Sequence, residues 1–250
     1  MPSAFLLDLD GTLYTDAGPV AGGPETIARL QARAVPLLYL TNTTSRGRAA
    51  IATRLQSLGY RVAVDDILTP LGAAVGYCEA RGFRRVLPLV PAATLPDLMG
   101  LELTHTGVVD AVILGDLGEA WSFALLQQAF EAITAGAELI ALSRDRYFQR
   151  GGRLTLDIGP FVAGLEYATG RAATLVGKPS PAFYSAALAR LGAPAEQTAM
   201  VGDDLWSDIR GAQESGIAGW LVRTGKFREE LLASSEVHPD RVLGSVAEIE

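Results

Sequence analysis

Residues 5–14 read FLLDLDGTLY, an apolar run that meets two aspartates one residue apart. In an extended strand, side chains two apart lie on the same side, so Asp8 and Asp10 are expected to face together while Leu9 faces away. Two adjacent carboxylates repel, and a divalent cation or a raised pKa is needed to hold both at neutral pH. Gly11 lets the chain turn sharply, and Thr12 offers a hydroxyl and a backbone amide to an anion. An Asx-type turn that merely ends a strand is the competing reading of these residues taken alone.

Three further stretches carry the same kind of chemistry. In LYLTNTTS, residues 38–45, an apolar strand runs into Thr41 and Asn42. Any of Asn42, Thr43, Thr44 or Ser45 can cap a helix starting near Arg46, whose unpaired amides would face an anion. In VGKPSP, residues 176–181, Pro179 keeps Lys178 out of the helical region, and Ser180 and Pro181 suit an N-cap and first helical position. Lys178 is then expected in a loop just before a helix, where its compact charge can meet a phosphate, unless it is an ordinary surface lysine. In MVGDDLWSD, residues 200–208, a strand delivers Asp203 and Asp204, and Asp208 follows near the start of a helix, where it could equally be an acid stabilised by the helix dipole. A hard cation with oxygen ligands accounts for all these carboxylates together, and Mg2+ fits a site of few carboxylates, several waters and a phosphate.

The elements that must position these residues follow from the apolar pattern. Short runs rich in Leu, Val and Ile (AFLLDLD, VPLLYLTN, RRVLPLV, DAVILGD, ELIALS, TAMVGDD, GWLVRTG) alternate with helical patterns at 24–34, 46–58, 122–134, 181–191 and 207–215. That alternation predicts an α/β fold with a parallel sheet covered on both faces. Three runs, at residues 5–10, 36–42 and 199–204, finish in polar residues at their C-terminal ends, where open α/β sheets bind ligands. Residues 72–172 hold strand and helix patterns of their own and read as an inserted second domain. Within it LPLVPAATLPDL, residues 87–98, reads as loop plus turn.

Composition narrows the function further. The 250-residue chain carries a net charge of -7, and its 21 Lys and Arg form no basic run, which argues against nucleic-acid binding. Cys78 is the only cysteine and His105 and His238 the only histidines, so disulfide frameworks, thiolate zinc sites and Ser-His-Asp triads are disfavoured. No apolar run approaches the roughly 20 residues of a membrane span, and Asp8 and Asp10 interrupt the first one, so the expectation is a cytoplasmic protein without membrane contact.

Taken in order, DLDGT, LTNT, GKP and GDDLWSD resemble the four signature motifs of the haloacid dehalogenase-like (HAD) hydrolase superfamily. GPFVAGLEYATG and GAQESGIAGWLVRTGKFR extend the resemblance to the NagD-like and nitrophenylphosphatase-like subgroup, over essentially the whole chain. The resemblance implies a Rossmann-like doubly wound parallel sheet core, residues 1–71 plus 173–250, with an inserted α/β cap, residues 72–172, that selects substrate. It implies an Mg2+-dependent phosphatase for a small phosphorylated compound, a phosphoric monoester or else a pyrophosphate or phosphoamidate, working through an aspartyl-phosphate. Asp8 would be the nucleophile and Asp10 the acid and base, the latter also binding metal through its backbone carbonyl. Asp8 and Asp203 would supply side-chain metal ligands, and Asp208 would orient Lys178 or a metal-bound water. Thr41, Asn42 and Lys178 would hold the transferring oxygens; the role of Asp204 stays open.

The presence of Asp10 argues against the C-halogen branch of the superfamily. In the cap, Arg144, Asp145, Arg146 and Tyr147 of SRDRYF form a cationic and aromatic stretch that could meet a leaving group, with Arg146 the favoured contact, and Asp116 is a second candidate; a solvated Arg-Asp loop explains the stretch equally well. A homodimer through a cap face carrying Trp121, Phe123 and Leu126 is a further expectation. The alternative to a hydrolase is a phospho-aspartate signalling or interaction protein, although the chain is about twice the size such a module needs.

Overall fold

The computed structural model describes residues 2–150 and 153–250, the side chains of 148–150 excepted. Its contacts divide into two compact units: residues 1–41, 48–68 and 178–250 form the first, and residues 42–47 and 69–177 the second. The boundaries expected from sequence, 71/72 and 172/173, differ from the contact boundaries by a few residues, and the packing of 42–47 with the second unit has no local signal in the chain. One link within that unit is Thr44, whose hydroxyl accepts a hydrogen bond from the Asp116 N–H at 3.2 Å.

The first unit is built on a six-stranded parallel sheet in the spatial order Arg241–Leu243, Ala218–Val222, Thr198–Gly202, Ala4–Asp8, Leu37–Leu40, Ile67–Leu68. From Ala4–Asp8 the chain winds first towards one edge, through Leu37–Leu40, and later towards the other, through Thr198–Gly202. The topological switch point lies between Ala4–Asp8 and Thr198–Gly202, whose registered pairs run from Ala4 with Thr198 to Leu7 with Val201. Both central strands are buried along their whole length, which is why their sequences are continuous apolar runs rather than alternating ones. The second unit has its own five-stranded parallel sheet, in the order Thr174–Leu175, Glu138–Ala141, Ala111–Leu114, Arg85–Leu89, Glu102–Leu103. Each sheet buries a separate apolar cluster, one around Leu7, Tyr39, Val201 and Trp220, the other around Leu89, Val112, Leu139 and Val162.

The helices follow their capping signals. Ser180 caps Pro181–Leu191 and accepts from the Phe183 N–H at 3.2 Å. The helix expected from Arg46 begins at Arg48, and Thr44 uses its hydroxyl on Asp116 instead. The helix expected over 207–215 is a wide turn, Leu205–Arg210, continued by Gly211–Glu214. In that wide turn the N–H of Ile209 reaches back five residues to the Asp204 carbonyl, at 3.2 Å.

One reading is corrected here. Residues 87–98 are not loop plus turn: Leu87 to Leu89 complete the strand Arg85–Leu89, and Ala92–Leu98 is a 3-10 helix. Pro88 is tolerated because it faces the Glu102–Leu103 side, where pairing stops at Val86 with Leu103, so its missing N–H removes no ladder bond. The residues Trp121, Phe123 and Leu126, offered as a dimer face, are exposed unequally. Trp121 and Leu126 pack on the second unit's core, Trp121 stacking on Phe161 at 4.3 Å, and Phe123 alone of the three is exposed, at 81%. Among the described residues no helix is long and apolar enough to cross a membrane.

Leu7 is fully buried in the strand that ends at Asp8. Leu7→Ala is expected to cost about 2–5 kcal/mol of unfolding free energy, and Leu7→Met less than about 1.5, as measured by urea denaturation.

Candidate active site

The strand Ala4–Asp8 ends with Asp8 in the interior, and the neighbouring strand Thr198–Gly202 ends one residue before Asp203. Parallel pairing therefore sets both carboxylates at the same end of the sheet. The wide turn returns Asp208 to the same place, and Tyr184 braces it there by donating to the carbonyls of Ser207 and Asp208 at 2.6 and 3.1 Å. Asp8, Asp203 and Asp208 are all buried, and each offers an oxygen within 4.8 Å of the others. Into this cluster comes Lys178, 3% exposed, which donates to Asp8 Oδ1 and to Asp208 Oδ1, both at 2.6 Å.

Three buried carboxylates thus face one buried ammonium, and the excess negative charge is only partly offset by Lys226. Burial, with the charge of Asp10 added, pushes the Asp8 carboxyl up despite Lys178. Burial, followed by the charges of Asp8 and Asp208, raises Asp203 to about 8. Asp208 is raised too, chiefly by burial. Burial works against the Lys178 ammonium, but Asp208 and Asp8 outweigh it and hold its pKa well above the ordinary lysine value. A cluster of carboxylate oxygens that cannot all ionise comfortably, with no soft or nitrogen donor in it, fits a hard divalent cation.

The remaining expected residues fall as follows. Asp10 lies beyond the strand end, exposed, bridged to Tyr14 through its backbone. Its charge nevertheless reaches Asp8, whose carboxyl it helps to push up, and its side chain hydrogen-bonds with the Tyr14 hydroxyl. Thr12 does not wait for an anion: its N–H goes to the Leu9 carbonyl at 3.2 Å and its hydroxyl to Asp8 Oδ2 at 3.3 Å. Thr41 is buried at the end of Leu37–Leu40 in the first unit, its N–H bonded to the Leu68 carbonyl at 3.3 Å. Asn42 belongs to the second unit, with its Oδ1 beside Gly177.

Asp204, left open by the sequence, turns away from the cluster. It accepts from the N–H groups of Trp206 and Ser207 at 2.9 and 3.0 Å and pairs with Lys226 at 2.9 Å. Burial opposes its charge, but Lys226 and these N–H donors prevail and lower its pKa to about 2. In the second unit, Arg146 and Tyr147 line a cavity of about 470 Å3 together with Arg144, Leu156, Pro160 and Glu166. Arg144 is paired with Glu166. Asp116 is a turn residue, accepting from the Gly118 N–H at 2.8 Å. Sequence reasoning missed Thr224 and Lys226, which touch the Gly11 carbonyl, Asp203 and Asp204. Both lie in the stretch GAQESGIAGWLVRTGKFR, which carried the family resemblance but no site role.

Residues 5–100 match the haloacid dehalogenase-like hydrolase family, and residues 175–249 match a second, HAD-hydrolase-like description. Haloacid dehalogenase-like hydrolase domain-containing protein 2 of Bos taurus is 41% identical over 225 residues, covering 90% of this chain and 85% of that protein. The phospholysine phosphohistidine inorganic pyrophosphate phosphatase of Homo sapiens is 34% identical over 250 residues, 97% of this chain and 91% of that one. Among solved structures, a glycerol phosphate phosphatase of Mycobacterium tuberculosis in complex with magnesium superposes with a TM-score of 0.88 at 28% identity, covering 98% of this chain and 75% of that chain. The chain belongs to the haloacid dehalogenase-like hydrolase family, and it is an enzyme of that hydrolase class.

The raised carboxyls set a pH dependence. A carboxyl whose folded pKa lies above its unfolded value of 3.8 stabilises the fold below that value, and this contribution is lost as pH rises through about 8 for Asp203. A divalent cation held by ionised carboxylates opposes that loss. The increase in melting temperature caused by saturating divalent cation is therefore expected to grow steadily from about pH 5 to about pH 8. A pH-independent increase in calorimetric scans would show that these carboxylates do not hold the cation.

Proposed function

We propose that the protein is an Mg2+-dependent phosphatase that hydrolyses a small phosphorylated compound, a phosphoric monoester first of all, through an aspartyl-phosphate on Asp8. The observation that carries this reading is the buried Lys178 ammonium held 2.6 Å from both Asp8 and Asp208, within a cluster of three carboxylates. A signalling module that only stores phosphate needs no second acid two residues after its nucleophile, and Asp10 stands at that position.

In the first step an Asp8 oxygen forms a bond to phosphorus while the bond from phosphorus to the leaving oxygen breaks. Asp10 protonates that oxygen as it departs, which its exposed position allows. In the second step Asp10 takes a proton from a water that attacks phosphorus, and Asp8 is released as the carboxylate. Thr12 and Lys178 hold Asp8 throughout, and Lys178 and Thr41 balance and orient the transferring oxygens. Asp208 positions Lys178. Asp8 and Asp203, with the Asp10 backbone carbonyl, would hold Mg2+. The bound cation supplies charge neutralisation between nucleophile and phosphate. Mg2+ is favoured by the all-oxygen donor set and by the magnesium complex of the similar glycerol phosphate phosphatase.

Choice among substrates falls to the second unit as a cap. Arg146 and Tyr147 at the mouth of its cavity offer a cation and a ring to an anionic or planar leaving group. Phosphate amides and pyrophosphate remain in the candidate panel because the similar human protein is named for them.

Phosphate release is expected from a panel of phosphomonoesters with Mg2+ and to vanish in chelator, with Asp8→Asn slower by about 1000-fold or more. Full turnover by Asp8→Asn, or a stably phosphorylated Asp8 without release, would overturn the hydrolase reading. Asp10→Asn is expected to slow an alkyl phosphate by about 100-fold or more and 4-nitrophenyl phosphate much less, because nitrophenolate leaves without a proton.

A further inference from the structure

The strand Ala218–Val222 is followed by the loop Thr224, Gly225, Lys226, to which the signature motifs give no part. All three residues nevertheless touch the acidic site. The Thr224 hydroxyl donates to the carbonyl of Gly11, in the turn after Asp10, at 2.5 Å. The backbone N–H of Lys226 donates to Asp203 Oδ2 at 2.7 Å, and its ammonium pairs with Asp204 Oδ2 at 2.9 Å. Between these contacts Gly225 lies directly on Gly11. A Cβ on either glycine would overlap Asp203 Oδ2, and both backbones have positive φ, +60° and +89°. The two glycines are thus needed for contact as well as for conformation.

These contacts act on the one rotation that the strand end leaves loose. A carboxylate at a strand terminus turns easily about its last torsion, which has broad wells. We propose that Thr224 and Lys226 are positioning residues for the divalent-cation site, fixing Asp203 so that Oδ2 is taken by the Lys226 N–H and only the other oxygen is presented to the cation. This rests on the reading of the cluster as an Mg2+ site. Thr224 acts by tying the loop to the turn after Asp8 and Asp10, so that the ends of two central strands are held to one another by a third chain segment. Lys226 adds a second effect. By pairing with Asp204 it holds that carboxylate apart from the cluster of Asp8, Asp203 and Asp208, and it brings a positive charge near a cluster with too few.

The test is calorimetric titration of the metal-free, full-length protein with Mg2+, for wild type, Thr224→Val, Thr224→Ser and Lys226→Met. Thr224→Val keeps the shape and removes the hydroxyl, and is expected to weaken Mg2+ binding by about tenfold or more, whereas Thr224→Ser restores it. Lys226→Met, at a largely exposed side chain, keeps the fold and the N–H and is expected to weaken binding by about threefold. The Mg2+ concentration giving half-maximal phosphate release rises in parallel. Wild-type affinity in Thr224→Val and Lys226→Met, with melting temperatures in chelator unchanged, overturns the positioning role while leaving the phosphatase reading intact. Failure of the wild type itself to bind Mg2+ overturns the cation site and this role with it.

Discussion

One buried ammonium between three buried carboxylates is the constraint around which the first unit is arranged. Lys178 can be buried only because Asp8 and Asp208 each accept a hydrogen bond from it at 2.6 Å; an unpaired lysine at that depth would shed its proton. Burial and mutual repulsion raise the carboxylates in turn, with Lys178 their only buried counter-ion among the described residues. The cluster is therefore poised rather than satisfied, and a hard cation among its oxygens would relieve it.

That poise is maintained by rigid elements on every side. Two adjacent parallel strands aim Asp8 and Asp203 from the same edge of the sheet, at the switch point of the winding. The wide turn Leu205–Arg210 brings Asp208 back over the strand end, and Tyr184 holds it from below with two hydrogen bonds. Asp204, one residue after Asp203, is diverted into capping that same turn and pairing with Lys226. Two neighbouring aspartates thus receive opposite fates: one raised in pKa by burial among like charges, one lowered by Lys226 and backbone donors.

The second unit has a separate apolar core and its own parallel sheet. Its polar features are of a different kind, with an arginine-lined cavity rather than an acidic cluster.

Much of this architecture is written in local patterns. Continuous apolar runs announced buried parallel strands, and Ser180 with Pro181 announced a helix start, legible because each rests on interactions within a few residues of chain or on burial of whole strands. The gathering of Asp8, Lys178 and Asp208 was legible only through the resemblance of their motifs, since their contacts span 170 and 30 residues of chain. What the tertiary structure decided is which of several equivalent polar groups turns inward. Thr12 was spoken for by Asp8, Thr44 by Asp116 and Asp116 by its own turn. Asp10 sits just past the strand end beside Tyr14, and Asp204 pairs with a lysine 22 residues later. The loop at Thr224 to Lys226 gave almost no local signal, because its contacts are made to chain segments more than 20 and more than 200 residues away. Residue type sets what a side chain can do; the packing of distant segments sets which partner it finds first.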